Sequence, residues 1–158
     1  MHQWVLWVLF AATALHVVEE HALGWQGWAA GWLGGRLGVK PTWMDFWPTN
    51  GFLIVYGVAA AAVGWRAPAF ALSVPAVLLI NTAFFHVLPS VTARRPNPGC
   101  FTAVILYLPI SVWAFVAAAD DGVLGAGTLV LSVVLGAVGM ASVIVVLMLK
   151  KRFRYADV

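Results

Sequence analysis

The chain has 158 residues, enough for one compact domain, with 63% hydrophobic and only 9% charged residues and a mean hydropathy of +0.92. A soluble domain carries roughly 25% charged residues, so this composition excludes an ordinary water-soluble fold and points to lipid as the solvent. The formal net charge of +3 is no nucleic-acid signal, because the basic residues sit in loops and a tail rather than along one stripe. The single cysteine, Cys100, rules out an intrachain disulfide and any multi-cysteine metal site.

A helix needs about 20 residues to cross the hydrocarbon core. Five segments qualify: residues 4–24, 49–65, 68–88, 99–119 and 123–149. They predict an all-α membrane protein, a single domain over 1–158 built as a bundle of about five transmembrane helices. The first begins with an apolar run that could be mistaken for a signal peptide. No Lys or Arg precedes the run, and it ends in His16, Glu19, Glu20 and His21 rather than a small-residue cleavage site, so it reads as a retained helix. Between the first and second spans, Trp25, Trp28 and Trp32 recur at i, i+3 and i+7 with Arg36 and Lys40 behind them. That spacing predicts a short helix lying in the interface, either an aromatic anchor belt or a lid over a substrate entrance. Pro68, Pro89, Pro98 and Gly122 mark helix ends, while Pro75 and Pro109 predict kinks inside the third and fourth spans. In the fifth, Ser132 and Gly136 stand at small-xxx-small spacing, a packing face within the bundle or in a dimer.

Orientation follows from the cations. With five spans and an inner C-terminus, Arg36, Lys40, Arg94, Arg95, Lys150, Lys151, Arg152 and Arg154 fall on one side and only Arg66 on the other. The positive-inside rule then predicts an outside N-terminus and a cytoplasmic C-terminus. The basic tail reads as a stop-transfer signal, with anionic-lipid binding as the alternative.

Ionisable residues within a span are costly and mark function by default. The first span carries the run His16-Val17-Val18-Glu19-Glu20-His21. At 100° per residue, His16, Glu19 and Glu20 share one face, while His21 points about 140° away from His16. On a rise of about 1.5 Å per residue, His16 lies roughly 18 Å and Glu20 roughly 24 Å from the outer start of its helix; Asn81 and His86 reach matching depths, roughly 20 Å and 27 Å, on the parallel third span. Asn50, Thr102 and Tyr107 lie near enough to join if their helices are neighbours. The ordinary readings are carboxylates reaching water at a helix end, a packed histidine and an interhelical asparagine. Against the first, carboxylates at a helix C-terminus face the unfavourable end of the dipole. An imidazole with two carboxylates and a second imidazole from across the bundle suits Zn, Fe or Mn. Without a metal, a Glu pair with one raised pKa can work as general acid and base.

The order His16-x-x-Glu19-Glu20, then Asn81 and His86, then Arg95-x-x-Pro98-Gly99 resembles the HXXEE family of bacterial integral membrane proteins. The likeness runs from the first through the fourth span. It implies a bacterial cell membrane location and a characteristic set of His16, Glu19, Glu20, His86 and Arg95, without an activity. A looser likeness is to glutamate-type intramembrane proteases of the CAAX-processing kind, which also pair a Glu-Glu with His and Asn from other helices; the Arg that follows their Glu pair is missing here.

The leading expectation is a membrane-embedded enzyme acting on a lipophilic substrate among membrane lipids. His16, Glu19, Glu20 and His86 would hold a divalent metal, and Glu19, Glu20, His86, Asn81 and Arg95 would act on substrate. Arg95 would clamp an anionic headgroup or cap the carboxylates, or else simply set topology. The rivals are a proton- or metal-coupled transporter and a noncatalytic scaffold or sensor.

Overall fold

The computed structural model describes residues 1–154, with side chains described through Lys150; the expected role of the tail beyond Lys150 lies outside these described side chains. Among the described residues the fold is all-helical. The helices are α1 (Val5–Ala22), α2 (Trp25–Leu37), α3 (Trp43–Val63, ending in the 3-10 turn Gly64–Arg66), α4 (Pro68–Ala93), α5 (Cys100–Asp120) and α6 (Ala126–Arg154). All but α2 are long and apolar enough to cross a membrane. Their outward faces carry exposed apolar side chains such as Phe52, Val55, Val130 and Val138, a surface suited to hydrocarbon rather than water.

Two boundaries differ from the sequence expectation, each for a local reason. Helix α3 begins at Trp43 rather than near residue 49. The Asp45 carboxylate accepts both the Thr42 backbone N–H and the Thr42 hydroxyl at 2.8 Å, a cap that starts the helix before its apolar stretch. Pro89, expected as a terminator, lies inside α4, which runs on to Ala93. A proline ring collides with the carbonyl four residues earlier. Here the turn before it is widened to a π-turn over Thr82–Val87, and a second π-turn over Ala103–Tyr107 precedes Pro109 in the same way. Pro75 lies in a stretch that stays α-helical, Pro68–Asn81, so the helical irregularity of α4 comes at Thr82–Val87 instead.

Helix α4 is the hub, bordered by α3, α5 and α6. Helix α6 lies along it through the small-residue face. Ser132 is fully buried, and a Cβ on Gly136 would stand 2.7 Å from the Ala76 Cβ and 3.0 Å from the Val77 backbone nitrogen. That face is therefore used within the chain. Helix α1 packs between α3 and α5. Helix α2 folds back over one end of the bundle, where Ala29 and Leu33 join Val39 and Leu147.

The opposite end is clasped by Asp121, 8% exposed at its side chain. It accepts hydrogen bonds from the His2 backbone N–H, from His2 Nδ1 at 2.9 Å and from Trp65 Nε1 at 2.8 Å. The His2 backbone N–H above all, then Trp65 and the His2 ring, hold this carboxyl at about 2, against the usual 3.8. A depressed folded-state pKa contributes stability above the unfolded value and loses it as pH falls through the folded one. Thermal melting in detergent should therefore show wild type losing more stability than Asp121→Asn between about pH 4 and about pH 2. Parallel curves for the two proteins would count against the clasp.

Candidate metal centre

Helix α1 delivers His16 and Glu20 one turn apart, and the π-turn of α4 delivers His86. All three are buried, at 3%, 6% and 1% exposure. Each offers a ligand atom within 4.8 Å of the other two. Glu20 Oε1 lies 3.6 Å from His16 Nε2 and 3.7 Å from His86 Nε2, and the two rings meet edge to face at 4.8 Å. Tyr107 packs against the His16 ring at 4.4 Å. The cluster could hold a metal ion.

The hydrogen bonds behind the rings decide which nitrogens face inward. Glu19 turns away from the cluster. Its carboxylate accepts the backbone N–H groups of Phe101 at 3.2 Å and Thr102 at 2.7 Å, together with the Thr102 hydroxyl at 2.5 Å. These are free amides at the start of α5, where a negative charge is favourable. The Thr102 proton is thereby committed, and its oxygen accepts from His16 Nδ1 at 2.8 Å. On the other side His86 Nδ1 donates to Asn97 Oδ1 at 3.2 Å. The Asn97 amide is fixed in that sense because its Nδ2 donates to the Phe85 carbonyl at 2.7 Å. Phe85 is four residues before Pro89, whose nitrogen carries no hydrogen to give. Both histidines thus donate from Nδ1 and turn Nε2 toward the Glu20 carboxylate, the nitrogen through which a neutral ring in this tautomer would bind a metal.

Two Nε2 atoms and a carboxylate facing one another in a buried setting are favourable neighbours only with a cation or proton among them. His86 Nε2 is buried and finds no hydrogen-bond partner among the described residues.

Gly99 closes the third side. Its φ is +88°, and a Cβ there would lie 2.6 Å from His86 Cε1, 2.8 Å from His16 Cε1 and 2.9 Å from Glu20 Cγ. The loop between α4 and α5 thereby braces all three members at once.

Of the residues read from sequence, His16, Glu20 and His86 converge. Glu19 stands behind the cluster as the cap of α5. Asn81 lines an adjoining cavity and its Oδ1 is unpartnered. The π-turn explains how it does so: at about 4.4 residues per turn, two residues five apart return to one face. Arg95 is exposed on the loop, with no side-chain partner among the described residues. His21 is exposed and packs on Trp43 and Trp47, away from the cluster as its helical angle predicts. Asn50 and Tyr107 line the cavity. Asn97 was not predicted. The sequence did carry a signal for it, a lone amide between two prolines, Pro96 and Pro98, in a loop too rigid to be a mere spacer.

The cavity is about 130 Å³, roughly ten times the room one water needs. It starts at Glu20 and His86 and runs along α4 past Asn81 and Val77. Leu53 and Tyr56 of α3 form one wall and Met140 and Ile144 of α6 the other, beneath Trp28 and Trp32 of α2.

No curated protein and no solved structure matches the chain. The family model described as a protein of unknown function with HXXEE motif matches residues 7–114, a span that holds His16, Glu19, Glu20, His86 and Gly99; the chain belongs to that family.

Proposed function

We propose that this is a membrane-embedded, metal-dependent enzyme that acts on a lipophilic substrate at His16, Glu20 and His86. The observation that carries the reading is the convergence of two imidazole Nε2 atoms and one carboxylate on a single buried point, with the outward Nδ1 of each ring held by Thr102 or Asn97. Two imidazoles and a carboxylate suit Zn, Fe or Mn, and three protein donors leave positions open for water or substrate. A divalent cation held there supplies Lewis acidity toward a carbonyl or a bound water. The chain's own residues do the rest. Glu19 and Asn97 orient the rings, Gly99 seals the loop side, and the apolar cavity walls hold the substrate and exclude bulk water.

In the orientation set by the cations, the α2 end faces the cytoplasm and the N-terminus lies outside. The centre then sits in the cytoplasmic half. Toward the other end, α1, α4 and α5 close on Val5, Leu6, Ala71, Leu72, Ala114 and Ala118, all buried and apolar. A reaction chamber open on one side fits this better than a transport path, which needs polar access from both.

Elemental analysis of purified protein tests the proposal. Wild type should carry one transition metal per chain, and Glu20→Ala and His86→Ala should lose it while still running as folded protein on size exclusion. A folded wild type with no stoichiometric metal after reconstitution with Zn, Fe and Mn would reject the metal centre and leave a shared proton between Glu20 and the histidines as the chemistry.

A further inference from the structure

The cavity beside the centre has a shape and a polarity of its own. Its two walls, α3 and α6, both pack on α4. What lies between them is a slot over the face of one helix, floored by Val77, Leu78 and Asn81. At the α2 end the slot is bridged by an ion pair between Asp45 and Lys150. The lining residue Phe52 is exposed, so the slot opens sideways toward the surroundings of the bundle at this point.

Four residues lining the cavity carry a buried polar atom without a partner among the described residues: His86 and Tyr107 at the candidate centre, and Asn81 and Trp32 beside it. Asn81 Oδ1 is an acceptor and Trp32 Nε1 is a donor, and both residues line the cavity. Leaving either unpaired in an apolar setting is costly. A ligand hydroxyl can donate to an acceptor such as Asn81 Oδ1 and can accept from a donor such as Trp32 Nε1, whereas an ether or an ester oxygen only accepts.

Building on the metal-site reading above, we infer that the slot between α3 and α6 binds a single-chain lipid alcohol admitted sideways from the membrane, with its hydroxyl at Asn81 and Trp32 beside the metal centre. Leu53 and Tyr56 on one side and Met140 and Ile144 on the other offer one hydrocarbon chain an apolar lining along α4. The chain chemistry shared by a fatty alcohol and an isoprenoid alcohol fits equally, so both are probed.

The test is photolabelling of the full chain, metal-reconstituted, in phosphatidylcholine nanodiscs, with labelled residues mapped by mass spectrometry. The probes are diazirine derivatives of palmityl alcohol, of farnesol, of palmityl methyl ether and of a diacyl phosphatidylcholine. At least one alcohol should label the slot at Leu53, Val77, Asn81 or Ile144, and which one does identifies the chain. The ether and the diacyl lipid should label outward residues only. Ile144→Trp and Leu53→Trp fill the slot from opposite walls, and each should abolish slot labelling while metal content stays at the wild-type level. Alcohols confined to outward residues would overturn the inference, as would slot labelling that persists in both metal-retaining variants. Slot labelling by the ether as strong as by the alcohols would overturn the assignment of the hydroxyl. Metal content read on the same samples separates the two proposals: slot labelling without metal sinks the metal centre alone, and metal without slot labelling sinks the lipid alcohol alone.

Discussion

Gly99→Ala is expected to dismantle the proposed metal centre without replacing any of its three donor residues. Two costs add. The backbone stands at φ +88°, which costs a non-glycine residue roughly 1–2 kcal/mol. The new Cβ also lands under 3.0 Å from His86, His16 and Glu20 at once. Neither ring can step aside cheaply, because each is held from behind by Thr102 or Asn97. Overpacking of this kind costs roughly 1–3 kcal/mol, and displaced ligands pass that on to the metal. Metal affinity should fall by on the order of 100-fold, since each 1.4 kcal/mol is tenfold. Competition with a chromogenic chelator measures it. Gly24→Ala is the control. It has a similar φ of +72° but nothing within 4 Å of the added carbon, so it should cost stability alone and leave metal affinity unchanged.

Glu19→Ala and Glu20→Ala, adjacent in sequence, should fail in opposite ways. Glu19 accepts three hydrogen bonds at the start of α5. Bonds to a charged group contribute roughly 1.5–3 kcal/mol each and are not additive, so Glu19→Ala should lose on the order of 4 kcal/mol of stability. His16 then keeps its place only loosely, and metal binding weakens as a consequence. Glu20 accepts no hydrogen bond among the described residues and meets the two Nε2 atoms only at 3.6 and 3.7 Å. Removing it leaves no donor orphaned, so Glu20→Ala should melt within a few degrees of metal-free wild type while binding no metal. Melting curves of the metal-free proteins, read beside metal content, distinguish the two roles. Equal destabilisation by both would mean that the two carboxylates are not divided as described.

How much of this was legible beforehand depends on the residue. Hydropathy and the placement of Pro and Gly were enough for the five spans, because the cost of burying polar backbone in lipid leaves little choice. The i, i+4 spacing of His16 and Glu20 and the matching depth of His86 were enough for the three converging residues. Glu19 was placed on the right face of α1, but its partner is the start of another helix, and periodicity within one helix carries no information about that. The π-turns escaped for a related reason. Pro89 and Pro109 read as a boundary and a kink, and only the packed structure shows the chain absorbing each proline by widening the turn before it. That widening is also what turns Asn81 toward the side of His86, five residues on. Matching depth alone did not make α1 and α4 neighbours; they meet through side chains, with the π-turn of α5 in contact with both. The tryptophans of α2 were read as a belt or a lid, and they line the roof of the cavity.

X-ray absorption at the metal edge of the reconstituted protein probes the central claim most directly, because it counts ligands without reference to activity. The account predicts two imidazole nitrogens and at least one carboxylate oxygen at about 2.0–2.2 Å if the metal is zinc. One imidazole should vanish from the spectrum in His86→Ala, and the shell should be unchanged in Glu19→Gln, which keeps an oxygen acceptor for Thr102. A spectrum without imidazole scattering, or one that loses a ligand in Glu19→Gln while His86→Ala is unaffected, would contradict it.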